Sequence, residues 1–434
     1  MTSPRRRPCR RPSRGAAALV TVMLLFFLIS MVAAYASRNL IFEQKTSANQ
    51  YRATQAFEAA EAGLEWAVAM FNGGRIDASC LPSADVANDT FRRRYLTLDA
   101  ATGNLAPRTW NNAGVPEPLR PTCVRTDAGW ACSCPVDGAP VLAAPTGNGP
   151  YPAFRLRFEA FDPGAGEQPG VVRVESVGCT LLDEACLGTA QGGGGEAAAR
   201  VSIVLALNSA LATPPSAPLT ARGQVSVGAA QLQLSNTDTA SSGITVDAGG
   251  DVVLAAHRLR SHPGTPPEAS IIANDASLGA LTPEQMFSSV FRLGKSSYRL
   301  QPGAVILDDC ASACSARLQA AVQSNPGRVI WVDGDLTVEA NVALGTPAEP
   351  VLIVSSGNIN LDAASVQITG LLYSQAADWS NGGLGTVSVQ GAAIAEGNFV
   401  GSGSPAIAYD AAVLRTLRLG TGTMVRVPGS WRDF

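Results

Sequence analysis

The chain has 434 residues, 46% of them hydrophobic and only 15% charged, with 43 glycines and two histidines. Its formal net charge is −3; without the six arginines of the first 15 residues, 26 basic residues stand against 35 acidic ones, near −9. This balance excludes a nucleic-acid-binding body, which needs clustered basic side chains. It suits a β-rich exported architecture of two or three domains better than a cytosolic enzyme.

Residues 1–15 carry arginines and no acid, and then Ala16 to Ala36 run for 21 residues without a charge, Gly or Pro. A helix of that length spans about 31 Å, the thickness of a bilayer's hydrocarbon core. The basic flank keeps the N-terminus cytoplasmic and sends the bulk of the chain outward. Cleavage after Ala36, at the small-x-small sequence Ala34-Tyr35-Ala36, would remove the apolar run. Cleavage after Gly15 would keep it, and an uncleaved single-pass anchor is the third possibility. Beyond the run, helix formers continue without Gly or Pro to Ala62, and Phe57, Ala60, Leu64, Val68 and Phe71 recur at spacings of three and four. The spacing predicts one helix over residues 16–72, apolar all round in its first third and amphipathic afterwards, ending at Asn72-Gly73-Gly74.

Nine cysteines are present, one of them, Cys9, in the leader. The other eight, Cys80, Cys123, Cys132, Cys134, Cys179, Cys186, Cys310 and Cys314, read as disulfide formers of an oxidising compartment. Cys179/Cys186 and Cys310/Cys314 are close enough to pair locally. Residues 75–150, rich in Pro, Gly, Asn and Ala, read as disulfide-tied loops with few regular elements. Alternation with a period of two predicts strands around Phe154–Phe161, Val172–Val177 and Arg200–Leu207. Three such strands form a small antiparallel sheet able to cover the apolar face of the helix. Residues 192–195, all Gly, read as a turn and not a phosphate cradle, since no helix opening with Lys-Ser/Thr follows. The proline-rich residues 213–218 read as a linker, which divides the exported part into 73–212 and 219–434.

In the last segment a short motif recurs: Gly250-Asp251-Val252, Gly334-Asp335-Leu336, Gly357-Asn358-Ile359 and Gly397-Asn398-Phe399. With a degenerate coil around Gly370-Leu371-Leu372-Tyr373 the period is near 20, which predicts a β-solenoid with Gly at corners and Asp or Asn stacked in ladders; a β-sandwich is the alternative. A helical insertion opens at Thr282-Pro283-Glu284-Gln285, a capping box with Pro at the first helical position, and presents Met286, Phe287, Val290 and Phe291. A second helix is expected over 313–322, the two capping or flanking the solenoid. The whole is α+β: a long helix with a small sheet, then a β-rich domain.

No catalytic constellation emerges. His257 and His262 lack further ligands, Asp308-Asp309 point apart, and Gly401-Ser402-Gly403-Ser404-Pro405 fails the nucleophile-elbow frame. Trp379 and Trp431 could line a sugar-binding face, though burial is the commoner fate of tryptophan. The expectation is a non-enzymatic protein with no cofactor and no metal.

The leader, the apolar run and then Gln55-Ala56-Phe57-Glu58-Ala59-Ala60-Glu61-Ala62-Gly63-Leu64 resemble the N-terminus of PilX-type minor pilins of type IV pili. The ending Val427-Pro428-Gly429-Ser430-Trp431-Arg432-Asp433-Phe434 and the stretch Trp331-Val332-Asp333-Gly334-Asp335 resemble the long C-terminal domains of some members. The resemblance implies cleavage between Gly15 and Ala16 by a prepilin peptidase, methylation of the new N-terminus, and residence in the inner membrane with the bulk periplasmic. It further implies assembly with other minor pilins and the major pilin, priming of the pilus, and a place at the pilus tip and cell surface, where a tip adhesin would be a partner. Major pilins carry Phe at the first mature position and Glu at the fifth; here these are Ala16 and Val20. The departure suits a subunit that sits first, and equally a type II secretion pseudopilin. An adhesin that uses the helix only as an anchor is the reading from a different class.

Overall fold

The computed structural model describes residues 14–433 apart from 144, 147–150, 162–167, 183–196, 381–385 and 402. One helix, Arg14–Phe71, runs for 58 residues, about 87 Å at 1.5 Å per residue. Its C-terminal third lies on a six-stranded antiparallel sheet, larger than the three strands expected. The order is Gly422–Arg426, Ala198–Ser209, Val171–Cys179, Ala153–Ala160, Thr122–Thr126 and Gly129–Ser133. The extra strands have two sources. Two come from the stretch read as loops, which also holds a short helix, Phe91–Tyr95, capped by Thr90. The third is the last strand of the chain, which returns across more than 200 residues to pair with Ala198–Ser209. Its return is fixed at the end of the long helix: the Asn72 side chain accepts from the Met424 amide at 2.8 Å and donates to its carbonyl at 3.0 Å. The disulfide Cys80–Cys134 ties a loop to the end of this sheet, and Cys123–Cys132 cross-links its two neighbouring strands Thr122–Thr126 and Gly129–Ser133.

The rest of the chain forms three ladders of parallel strands. In the first, Ala304–Leu307, Val329–Val332, Val351–Ser355, Ser365–Ser374 and Thr386–Ala395 stack in sequence order. The Leu219–Ala221, Val246–Ala248 and Ile271–Ile272 strands then continue the same stack. Side chains of this face alternate between two buried surroundings. Ile330, Val332, Ile353, Leu372 and Ala393 point into the core enclosed by the three ladders. Trp331, Val354, Leu371, Tyr373 and Ile394 point outward beneath a helical layer. Burial on both sides explains why these strands read as unbroken apolar runs.

The stack order shows how the chain gets from one end to the other. Residues 219–272 build the far end, then the chain returns along the outer face to restart at Ala304. The return segment carries the helices Pro283–Phe291 and Lys295–Arg299, with the capping box at Thr282 and Gln285 formed in both directions. Phe287 packs on Tyr373 at 5.4 Å and Trp331 at 6.1 Å, and Phe291 on Tyr373 at 5.1 Å between ring centroids. This insertion therefore flanks the ladders. The helix Ser315–Ser324 instead caps one end.

The recurring Gly-Asp/Asn motif lines up one corner. The Asn358 amide donates to Asp335 Oδ1 at 2.7 Å, Asn398 Nδ2 to Asp378 Oδ1 at 2.7 Å, and Asn274 Nδ2 to Asp251 Oδ1 at 2.9 Å. The coil between Asn358 and Asn398 turns at Asp378, not at Gly370. Gly370 stacks on Gly391 at a different corner, both with positive φ, 152° and 137°.

Within the helical layer Glu396 is 3% exposed; Lys295 Nζ donates to its Oε1 at 2.6 Å and Tyr373 Oη to its Oε2 at 2.9 Å. Burial nevertheless pushes the carboxyl above the usual range, against the lowering pull of Lys295 and Tyr373. A carboxyl raised on folding contributes stability in full below its unfolded value, about 4.3, and loses it as pH rises through the folded value. The stability of the native chain relative to E396Q is therefore expected to fall as pH rises above about 4.3, read as a declining difference in melting temperature. A difference that grows with pH would contradict the burial argument.

Candidate functional site: the N-terminal helix

The long helix divides into a free part and a docked part. Every residue described from Ala17 to Thr54 is exposed, including Leu19 at 61%, Phe26 at 72% and Phe27 at 64%. Monomeric soluble proteins rarely expose apolar patches of more than a few hundred Å². Ala17–Phe71 is the one described helix long and apolar enough to cross a membrane. Its Thr21 hydroxyl donates to Ala18 O at 2.9 Å, so that polar group is satisfied within the helix, as an apolar surrounding demands. Gly15 and Ala16 lie in the first turn of the helix.

The docked part begins at Ala56. Ala56, Ala59, Ala60, Leu64, Ala67 and Phe71 are buried, while Glu58, Glu61 and Glu65 face outward. The small residues allow a close approach: a Cβ on Gly63 would lie 2.3 Å from Ser176 Oγ, and one on Gly178 would lie 2.1 Å from Ala56 O. Sequence reasoning missed Gly178, although a glycine inside an alternating strand signals a close backbone neighbour.

The helix end is also where the two halves of the molecule meet. Arg75 donates to Gln323 O and Asn88 O, both at 2.6 Å, and to Glu349 at 2.8 Å; Arg93 pairs with the same carboxylate. Arg92 donates to Phe71 O, Gly420 O and Gly422 O, closing the C-termini of two helices at once. Burial lowers its pKa to about 10. An apolar cleft of about 500 Å³ opens beside these arginines. It holds no His or Cys and a single acid, Glu349, already paired.

The other candidates scatter. Among the described residues no three His, Cys, Asp or Glu side chains could hold a metal ion together. His257 is exposed on a strand, and Asp308 and Asp309 are exposed with their carbonyls accepting from Arg317. Trp379 is buried, its Nε1 donating to Ile359 O at 2.8 Å. Trp431 is 46% exposed and set edge-on to Phe57. Burial removes Trp379 from any sugar-binding face. Cys310 and Cys314 are joined in a disulfide. Cys179 is also disulfide-bonded. Cys186, Cys9, residues 192–195 and Ser402 lie outside the described residues.

Residues 14–65 match the PilX N-terminal family model. No curated protein matches the chain. Among solved structures, the competence-associated pilin ComZ from Thermus thermophilus aligns at 12% identity over 88% of this chain and 97% of that one, with a TM-score of 0.21. The matched family segment spans both the free helix and the small-residue stripe Ala56–Leu64. Over residues 14–65 the chain is similar to the PilX N-terminal family, a match that covers the long helix and none of the strands.

Proposed function

We propose that the protein is a minor pilin: a non-catalytic subunit that waits in the inner membrane on its apolar helix and then joins other minor pilins and the major pilin to prime a pilus. The observation that carries the reading is the uncovered apolar length of a helix whose other end is rigidly docked. Burying one large apolar side chain is worth about 1.5–3 kcal/mol, so the 17 exposed ones between Leu19 and Tyr51 demand a lipid or helical surrounding. The first serves before assembly and a bundle of like helices serves after it. In this reading prepilin peptidase cuts between Gly15 and Ala16, and the new N-terminus is methylated. Val20, where a major pilin has Glu, leaves no carboxylate to be buried without a partner, which suits a first subunit at the tip. The three parallel ladders form a β-solenoid displayed outward, with its disulfides formed in the periplasm.

The test is at the processing site. The mature chain is expected to begin at Ala16 by mass spectrometry, and Gly15→Val to leave the leader attached and abolish piliation. A mature chain beginning at Ser37, or a Gly15→Val strain with normal pili, would overturn the proposal. A Gly15→Val chain still displayed and binding would favour the anchored adhesin.

A further inference from the structure

The two ends of the parallel stack differ. At one end the helix Ser315–Ser324 and the loop before it cover the first coil. The Ser315 hydroxyl accepts from the Glu339 and Ala340 amides at 2.9 and 3.0 Å, and Cys310 O from the Thr337 amide at 2.8 Å. Leu318 closes the core there. The Thr337, Glu339 and Ala340 N–H groups at that end are thus occupied.

At the other end only one of the three ladders is closed in this way. Ile271–Ile272 and its flanks cover the Val246–Ala248 strand, with Thr245 N donating to Ser270 O and Asp275 N to Ala248 O, both at 2.9 Å. The neighbouring strand, Val252–Arg260, pairs with Val225–Ser235 on one side. Among the described residues no strand pairs with its other side. Val225 N donates to Asp251 O at 2.9 Å and Asn236 N to Arg260 O at 2.8 Å. Alternation from these two fixed points turns the backbone groups of Val252, Leu254, His257 and Leu259 away from the ladder. The edge runs for nine residues, with a register irregularity against its partner between Leu254 and Ala256, and is long for an uncovered one, since natural edges are mostly short or covered.

The edge is also chemically divided. Its first half, Val252–Ala255, is apolar, with Val253 60% exposed. Its second half presents His257, Arg258 and Arg260 to solvent, on a chain whose body is acidic. Within the strand there is no acid; the nearby Asp251 is bonded to Asn274, and Glu268 is exposed on the turn Pro267–Ser270. Edge charge alone would discourage pairing with a copy of the same edge. It would favour a strand of opposite sign.

We propose that Val252–Arg260 is a docking edge for an extended segment of a partner protein. The segment adds as the next parallel strand of the stack, with small or β-branched side chains beside Val252–Ala255 and Asp or Glu beside His257–Arg260. Main-chain bonds to the four outward residues supply the attachment, and the basic half sets register and sign. The proposal does not depend on the pilus reading, because it rests only on the stack.

The test uses the full chain in detergent micelles and a labelled nine-residue peptide, Val/Thr in its first half and Glu in its second, with a Lys-for-Glu version as comparison. Saturable binding of the Glu peptide by fluorescence anisotropy is expected, with slowed amide exchange over residues 252–260. Affinity should fall at least tenfold with the Lys peptide, with Arg258→Glu/Arg260→Glu, and with His257→Pro, which removes an outward N–H without touching the inner ladder. The melting temperature of the variants should stay within a few degrees. Equal binding of the two peptides, no protection over 252–260, or no saturation by about 1 mM would overturn the proposal. So would self-association of the peptide-free chain abolished by His257→Pro, which would assign the edge to a second copy.

Discussion

Replacing Gly178 by valine is expected to lift the sheet off the long helix and cost more than about 3 kcal/mol. The Cβ of any other residue would lie 2.1 Å from Ala56 O, 2.3 Å from Ala60 N and 2.9 Å from Ala60 Cα. These are backbone atoms of a regular helix, so no rotamer change relieves the overlap; either the helix or the strand must move. Movement opens the layer built on Ala60, Leu64 and Phe71 against Phe154, Leu156 and Phe158. The expected record is loss of amide protection over residues 56–71 and a melting temperature lowered by several degrees. Gly228→Ala, whose added methyl meets nothing within 4 Å, should be close to neutral. A Gly178→Val chain with native protection on the helix would refute the close packing. In the proposed pilin role, processing at the remote N-terminus should continue in the variant while incorporation into pili fails.

That contact also shows what the sequence could and could not disclose. The helix was legible because no Gly or Pro interrupts it from Ala16 to Ala62, its last turns have a three/four apolar period, and it ends at Asn72-Gly73-Gly74. The small-residue stripe was visible as the Ala56–Leu64 motif, but its partner Gly178 lies more than 100 residues away, and nothing local links the two. The Gly-Asp/Asn repeat was legible because each coil must turn with the same backbone chemistry. The order of the coils was not. Residues 219–272 and 304–395 have the same local pattern, and only packing decides that the second run stacks beneath the first. Loops expected over 75–150 became strands because Cys123, Val124 and Phe154 gain burial from a sheet whose last strand, Gly422–Arg426, is contributed from the far end of the chain. The helical insertion was found from its capping box, yet its path along the ladders follows from where the chain must restart.

That path makes Phe287 the second position of large effect. The return segment has to cover one face of the stack from Leu281 to Ala304, and Phe287 is fully buried within it, 0% exposed. It touches Phe291, Tyr298, Trp331 and Tyr373, residues from two strands of the stack and two helices. Phe287→Ala is expected to cost about 3–5 kcal/mol, the usual loss for a buried phenylalanine that leaves a cavity. The loss is directional. Tyr298 Oη is held by Ala210 O at 2.8 Å, and Arg299 pairs with Asp333, so the segment stays anchored at its C-terminal end while its middle loosens. Trp331 reports on this directly: its indole is buried under Phe287 with Nε1 donating to Asp333 Oδ1 at 2.7 Å. Its emission should shift to longer wavelength in the variant as water reaches the ring. Leu300→Ala, at a side chain 71% exposed, should leave both stability and emission unchanged. If Phe287→Ala melts like the native chain with unshifted emission, the helices do not hold the outer face, and the parallel ladders must be stable without them.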